Sequence, residues 1–325
     1  MGVPHLNALF CSQCPQGVEK KPLHAFSGWK VAVDTSIYMY RYKEQGVLLE
    51  NMFNLVNMLK KHNIVPCFIF DGKPPEEKKA IIKARKKERE TAETEYNQIA
   101  NLVEANPEMD DVEKKQNITK METLKQKMTR ITAQDIQNVK TLLEGMGVIW
   151  VEARGEADLL CARLCNKKFV NACLSDDMDM FVYGCPVVWR HISILQESVV
   201  SYNLGAICET LGMTKDELTE VCVASETDYS YGTERKTSLY ATIKLMRRYK
   251  NSGSREGFYE WLDTNTDYVN DMYALYSQLA MFDTRYVYVD TKVFGRRGAL
   301  KYKQEDEGQV QTALSEENFF FPGRH

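Results

Sequence analysis

Four short apolar runs, each followed by carboxylates, constrain the fold of this chain more than any other feature. Val31–Val33 leads into Asp34 and Phe68–Phe70 into Asp71. Val148–Val151 leads into Glu156 and Asp158, and Ala172–Leu174 into Asp176, Asp177 and Asp179. Read as buried strands, the runs are Trp29–Val33, Pro66–Phe70, Val148–Val151 and Val170–Leu174, with a further one at Val187–Arg190. Helical patterns lie between them, for example at Leu48–Lys61 and Ile136–Gly145. Strands alternating with helices predict an α/β fold with a largely parallel central sheet and helices on both faces. Parallel strands end at the same edge, where ligands of open α/β sheets bind. The acids are therefore expected to converge there.

Convergence has an electrostatic cost. Two unit charges about 6 Å apart repel by roughly 3 kcal/mol at an effective dielectric near 20. Either several of the acids are protonated or a cation holds them. Oxygen-only ligands favour Mg²⁺ or Mn²⁺ over zinc or copper, and this many acids could hold two ions, the recurring arrangement for phosphodiester hydrolysis. Asp177 and Asp179 would share one face of an extended stretch. Glu156 and Asp158 would diverge inside a regular helix, which puts Glu156 at a helix start beside Gly155. The competing explanation is that each acid is an ordinary helix N-cap. For any one acid alone that explanation is the better one; so many acids after four successive strands favour metal binding.

Lys78, Lys79, Lys83, Arg85, Lys86, Lys87 and Arg89 crowd the segment after Asp71. Three- and four-residue spacings let part of this set form a stripe, and a basic helix rooted beside an acidic metal site suits a phosphate-bearing substrate. The surrounding stretch, Glu76–Thr132, is strongly polar and reads as two or three solvent-exposed helices. From about Asn203 the chain looks helical, with Thr214 and Glu217 marking a helix start. Lys250–Gly257 reads as a loop, and the tail beyond Lys303 is polar before Phe319, Phe320 and Phe321. The balance of 42 basic against 45 acidic residues, net −3, argues against a non-specific nucleic-acid coat but not against a nuclease with segregated charge. Hydrophobic content of 44% can bury a core. No run is apolar enough to span a membrane, no secretory signal is evident, and Leu6 breaks the myristoylation pattern. The nine cysteines, mostly in apolar segments, read as free thiols of a reducing compartment, nucleus or cytoplasm. Cys11 and Cys14 form one CxxC without a second pair at zinc-site spacing.

In this order and spacing, the stretches MGVPHL, VAVDTSIYMY, FIFDGKPPEEKKAIIKAR, GVIWVEARGEADLLCARL, LSDDMDMFVYG and VASETDY resemble the flap endonuclease (XPG-like) family of structure-specific 5′ nucleases over about residues 1–230. The resemblance implies a PIN-like 5′ nuclease fold in one nuclease domain over 1–325. Its parts would be an N-terminal part (1–90), a helical cap or arch (91–131), an internal part (132–230), a helical DNA-binding region (231–303) and a polar tail (304–325). It implies metal-dependent cutting of branched DNA with a 5′ flap, with 5′–3′ exonuclease action, in replication, repair or recombination. It places Asp34, Asp71, Glu156, Asp158, Asp177, Asp179 and Asp228 on the family's metal carboxylates, around two Mg²⁺ with Mn²⁺ as substitute. Lys78 and Arg85 fall on the basic pair that contacts the scissile phosphate. Tyr40 falls on an aromatic that stacks beside the cut, and Gly2 in the N-terminal segment that approaches the site. Lys79, Lys83 and Lys86 are added as nucleic-acid contacts of the basic stripe, and the cap is where the family threads a single-stranded 5′ arm.

Three departures accompany the resemblance. The glycine-rich turn that follows the DY pair in the family, part of a potassium-associated duplex grip, is reduced here to Gly232 and Lys236, leaving Lys236, Lys244, Arg247 and Arg248 as candidate phosphate contacts. Asp158 stands where the family commonly has Glu. The sliding-clamp peptide is incomplete, since Phe319 and Phe320 lie too far beyond Gln311 and Leu314. A short chain without these accessories would suit a large DNA virus. An RNA endonuclease, a dimeric junction resolvase and an inactive nucleic-acid-binding scaffold on the same fold stay open as alternatives, as do monomer and dimer.

Overall fold

The computed structural model describes residues 3–74, 76–106, 109–225, 238–295 and 300–315. Seven strands form one sheet: β1 Val18–Pro22, β2 Lys30–Asp34, β3 Val65–Phe70, β4 Ile149–Glu152, β5 Ala172–Leu174, β6 Val187–Ser193 and β7 Ser198–Asn203. Their order is β1-β7-β6-β5-β2-β3-β4. The run from β6 to β4 is parallel, whereas β7 pairs antiparallel with β6 and β1 with β7. The five strands expected from sequence are the five parallel ones, shifted at their ends by up to three residues. The two antiparallel strands were not anticipated. β1 (VEKKP) is polar and largely exposed, so it lacks the apolar run that flags a buried strand.

Alternation along the central strands sends side chains to two cores. Ala32, Cys67 and Ile69 join the helices Leu6–Gln13, Ala157–Asn166, Leu204–Leu211 and Lys215–Ser225 on one face. Val31, Val33, Phe68 and Phe70 join Thr35–Glu44, Leu48–Lys61 and Ala133–Gly145 on the other. Helices thus cover both faces, as the parallel arrangement demands. The helix over Ala133–Gly145 starts at a capping box between Thr132 and Asp135. The Lys215–Ser225 helix starts at the expected Thr214–Glu217 pair, through Thr214 N–Glu217 Oε2 at 2.7 Å and Glu217 N–Thr214 Oγ1 at 3.1 Å.

The polar insertion is two long helices, Lys79–Ala105 and Asp111–Met128, packed against each other. The first runs unbroken through residue 91, so the basic segment and the first part of the cap share one helix. Two C-terminal expectations need correction. Lys250–Gly257 is not all loop: the helix Leu239–Ser252 continues through Lys250 and ends at Gly253, whose φ of 66° suits glycine. The polar tail contains a helix, Glu307–Ser315, whose Val310, Ala313 and Leu314 are buried against Val139 and Leu142. Apolar residues three and four apart make a stripe even within a polar stretch. Among the described residues no helix is long and apolar enough to cross a membrane.

Candidate active site

The carboxyl ends of β2, β3, β4 and β5 all face one cavity of about 360 Å³. Asp34, Asp71, Glu156, Asp158 and Asp177 line it together with Lys78, Arg85 and Tyr40. Asp34 ends β2, is 6% exposed, and accepts a hydrogen bond from Ser175 Oγ at 2.9 Å. Asp71 follows β3. Its Oδ2 accepts from Ser36 Oγ at 2.5 Å and its Oδ1 from the backbone N–H of Ala157 at 2.9 Å. The turn after β4 is drawn against the turn after β3: Gly72 N–H donates to Gly155 O at 2.7 Å. A Cβ on Gly72 would lie 1.9 Å from the Ala153 carbonyl oxygen, so only glycine permits this approach. That contact brings Glu156 and Asp158 beside Asp71.

Asp34 and Glu156 do occupy N-cap positions, of the helices Thr35–Glu44 and Ala157–Asn166, but neither side chain makes a capping hydrogen bond. Both line the cavity instead. Asp158 Oδ1 accepts from Leu159 N at 2.6 Å, and Asp177 Oδ1 from Asp179 N at 3.0 Å, each leaving an oxygen for the cavity. Asp177 and Asp179 are not on an extended stretch as expected: Asp179 opens the short helix Asp179–Val182, with Asp177 bonding to its amide. Asp179 is 1% exposed and is not among the residues that line the cavity. Asp176 faces away, paired with Arg41 and accepting from His191 N at 2.7 Å.

Burial raises the carboxyl of Asp34 well above the usual range, reinforced by Asp71, Asp158 and Asp177 and opposed by the hydrogen bond from Ser175. Burial and the charge of Glu156 push Asp158 up to about 7, against the attraction of Lys78. Lys78 Nζ lies 2.7 Å from Glu156 Oε1. Asp34 and Asp158 thus hold protons more tightly than free carboxylates, chiefly because they are buried and secondly because other acids stand beside them. The described lining offers carboxylate oxygens but neither His nor Cys, a donor set that fits a hard divalent cation.

On the helix Lys79–Ala105, Ile82 and Arg85 face the acids, as does Lys78 at its N-cap. Lys79 pairs with Glu76, Lys83 is exposed, and Lys86 is near Glu90 at 3.8 Å; none of the three lines the acidic cavity. A second cavity of about 920 Å³ lies between this helix, Tyr40 and the end of the other cap helix at Gln126, Lys127 and Thr129. Tyr40 and Arg85 line both cavities, so the two adjoin. Lys244, Arg247 and Arg248 occupy the solvent face of their helix, opposite buried Leu239, Thr242, Ile243 and Met246. Gly2, Asp228 and Lys236, together with Phe319, Phe320 and Phe321, lie outside the described residues. Cys11 is exposed and Cys14 buried. Sequence reasoning passed over Ser36 and Ser175, although each stands within two residues of a strand-end acid; a hydroxyl donor there was the available signal.

Residues 1–92 match the XPG N-terminal domain and residues 147–228 the XPG I-region. Flap endonuclease 1 of Glycine max is 29% identical over 339 residues, covering 98% of this chain and 83% of the relative. Flap endonuclease 1-A of Xenopus laevis is 28% identical, covering 77% and 66%. Among solved structures, the catalytic core of Rad2 in complex with DNA substrate superposes with a TM-score of 0.65 at 16% identity, covering 95% of this chain and 94% of that one. Flap endonuclease-1 from Methanococcus jannaschii gives 0.63 at 21% identity, covering 95% and 93%. Human GEN1 in complex with Holliday junction DNA gives 0.61 at 18% identity, covering 98% and 73%. A carboxylate-lined cavity on the 5′ nuclease fold defines a metal-dependent phosphodiesterase. Within that class, the chain belongs to the XPG-like nucleases, with flap endonuclease 1 proteins among its relatives.

Proposed function

We propose that this protein is a structure-specific endonuclease that hydrolyses the phosphodiester backbone of branched DNA, with a 5′ flap as its preferred feature and Mg²⁺ as its cation. One observation carries the reading: five carboxylates from the ends of four parallel strands line one cavity with Lys78 and Arg85. Asp34, Asp71, Glu156, Asp158 and Asp177 would hold the metal, with Asp179 and Asp228 added on the sequence resemblance. When bound, Mg²⁺ supplies Lewis acidity, acidifying a water and stabilising the leaving oxygen. The remaining work falls to the chain's own side chains. Lys78 and Arg85 place positive charge against the phosphoryl oxygens. Tyr40, 43% exposed at the junction of the two cavities, stacks on a base next to the cut. The adjoining cavity under the cap helices receives the single-stranded arm. Lys244, Arg247 and Arg248 offer phosphate contacts along the duplex.

Labelled 5′-flap, four-way-junction and single-stranded RNA substrates, incubated with Mg²⁺ or with a chelator, test this reading. The flap should be cut only with metal, and Asp71→Ala and Asp179→Ala should abolish cutting while binding largely persists. Metal-independent cutting, or full activity of either variant, would refute it.

A further inference from the structure

The segment after the helix Met272–Met281 returns along the helix Ala157–Asn166 toward the active site. It is fastened at Asn166, whose Nδ2 lies 3.5 Å from Thr284 Oγ1, and at Phe294, buried 5.9 Å from the ring of Phe169. Between these points side chains alternate. Val287 and Val289 pack against the core, whereas Tyr286 and Tyr288 are 87% and 51% exposed. An extended backbone at Val287 (φ −66°, ψ 125°) sends the two tyrosines to the same side. The guanidinium carbon of exposed Arg154 lies 3.7 Å from the centre of the Tyr288 ring. Arg154 is two residues before Glu156, in the turn that Gly72 ties to Asp71. A flat cation thus lies over an aromatic ring in the turn that leads to the cavity-lining Glu156, with a second exposed ring beside it.

Single exposed aromatics are ordinary; this pair differs in its placement and its chemistry. An acidic cavity repels the polyanion it must receive, so the rim has to supply both attraction and orientation. Arginine over a ring keeps its charge and presents a second flat face on which a base can stack. Every base has a π-face, so such a platform holds a strand without reading its sequence. We infer that Arg154, Tyr288 and Tyr286 form a stacking platform for a nucleotide adjacent to the scissile phosphate, beside the turn that carries Glu156. These are positioning residues, and the inference rests on the nuclease reading for its substrate.

The test measures affinity separately from cutting. Fluorescence anisotropy with a labelled 5′-flap duplex, with Ca²⁺ in place of Mg²⁺, would compare wild type with Arg154→Ala, Tyr286→Ala, Tyr288→Ala and Tyr288→Phe. 2-Aminopurine placed at each position flanking the cut would report stacking. Arg154→Ala and Tyr288→Ala should weaken binding about fivefold to a hundredfold and relieve 2-aminopurine quenching at one flanking position. Tyr288→Phe should behave as wild type, and melting temperatures should stay unchanged. Wild-type affinity and quenching in the alanine variants would refute the platform while leaving the nuclease reading intact. Loss of affinity in variants of a protein that cuts nothing would sink the nuclease reading and support the platform. Failure of wild type to bind the duplex would overturn both.

Discussion

Replacing Asp158 with asparagine should stabilise the metal-free protein while disabling it. Asparagine keeps an acceptor for the Leu159 N–H, which Asp158 Oδ1 now receives at 2.6 Å, and it removes the charge. Asp158 titrates near 7 rather than at the ordinary 3.8, through burial and the neighbouring Glu156. A carboxyl whose folded pKa is raised favours folding while it is protonated. Its ionisation therefore costs stability progressively as pH rises from 3.8 to about 7, and by a constant amount above. That range corresponds to about 4 kcal/mol at pH 8 and about 2 kcal/mol at pH 5. Relaxation around the site lowers what would be read, so a gain of about 2–4 kcal/mol at pH 8 is expected for Asp158→Asn, shrinking toward zero near pH 4. Urea unfolding in a chelator at pH 4, 5, 6.5 and 8 measures this directly. Adding Mg²⁺ should reverse the order, because the ion binds only the folded site and binds the wild type better. A variant less stable than wild type at pH 8 without metal, or a difference that ignores pH, would show that the acids are not an uncompensated charge cluster.

Lys78→Met should reduce kcat about 100- to 1000-fold with a smaller change in DNA affinity; a loss under threefold in single-turnover cleavage would remove Lys78 from the chemistry. Leu314→Ala should destabilise the fold by about 2–4 kcal/mol, because Leu314 is fully buried against the core. An unchanged melting temperature would mean that the Glu307–Ser315 helix does not hold to the body. The same burial withdraws Leu314 from any clamp peptide, so the intact protein should show no binding to a sliding clamp through Gln311 and Leu314 in titration calorimetry; binding that Leu314→Ala abolishes would contradict this.

The parallel part of the sheet was legible because burial on both faces forces continuous apolar runs, and four of the five runs led into acids that could be read directly. β1 and β7 were not legible: an edge strand such as VEKKP spends its side chains on solvent, and its partner is set by hydrogen bonding 180 residues away in the chain. The acids were legible as a group, but their division of labour was not. Asp176, Asp177 and Asp179 are nearly adjacent, yet Asp176 pairs with Arg41, Asp177 lines the cavity and Asp179 is buried outside its lining. Those directions depend on Arg41 and His191, which arrive from other elements. The basic stripe was legible only as charge. Which lysines face the acids follows from the rotation of one helix about its axis, and that is fixed by packing.

Helix cap and metal ligand need not exclude each other, and Asp71 shows how one residue can be both. Its Oδ1 accepts from Ala157 N at the start of the helix Ala157–Asn166 although it stands 86 positions earlier in the chain, while its Oδ2 is held by Ser36 at the cavity wall. The cap fixes the helix that carries Asp158, and therefore the spacing of the acids. Asp71→Asn separates the two roles: the amide oxygen still accepts from Ala157, but the charge is gone. If Asp71 matters only as a cap, Asp71→Asn should cut DNA like wild type, and Asp71→Ala should lose about 1 kcal/mol of stability. If its charge holds the cation, Asp71→Asn should keep the stability of the metal-free protein and lose cleavage as completely as Asp71→Ala. Stability by denaturation and cleavage in Mg²⁺, measured on both variants, decide between these outcomes. An active Asp71→Asn would leave the strand-end carboxylates as scaffolding rather than a metal site.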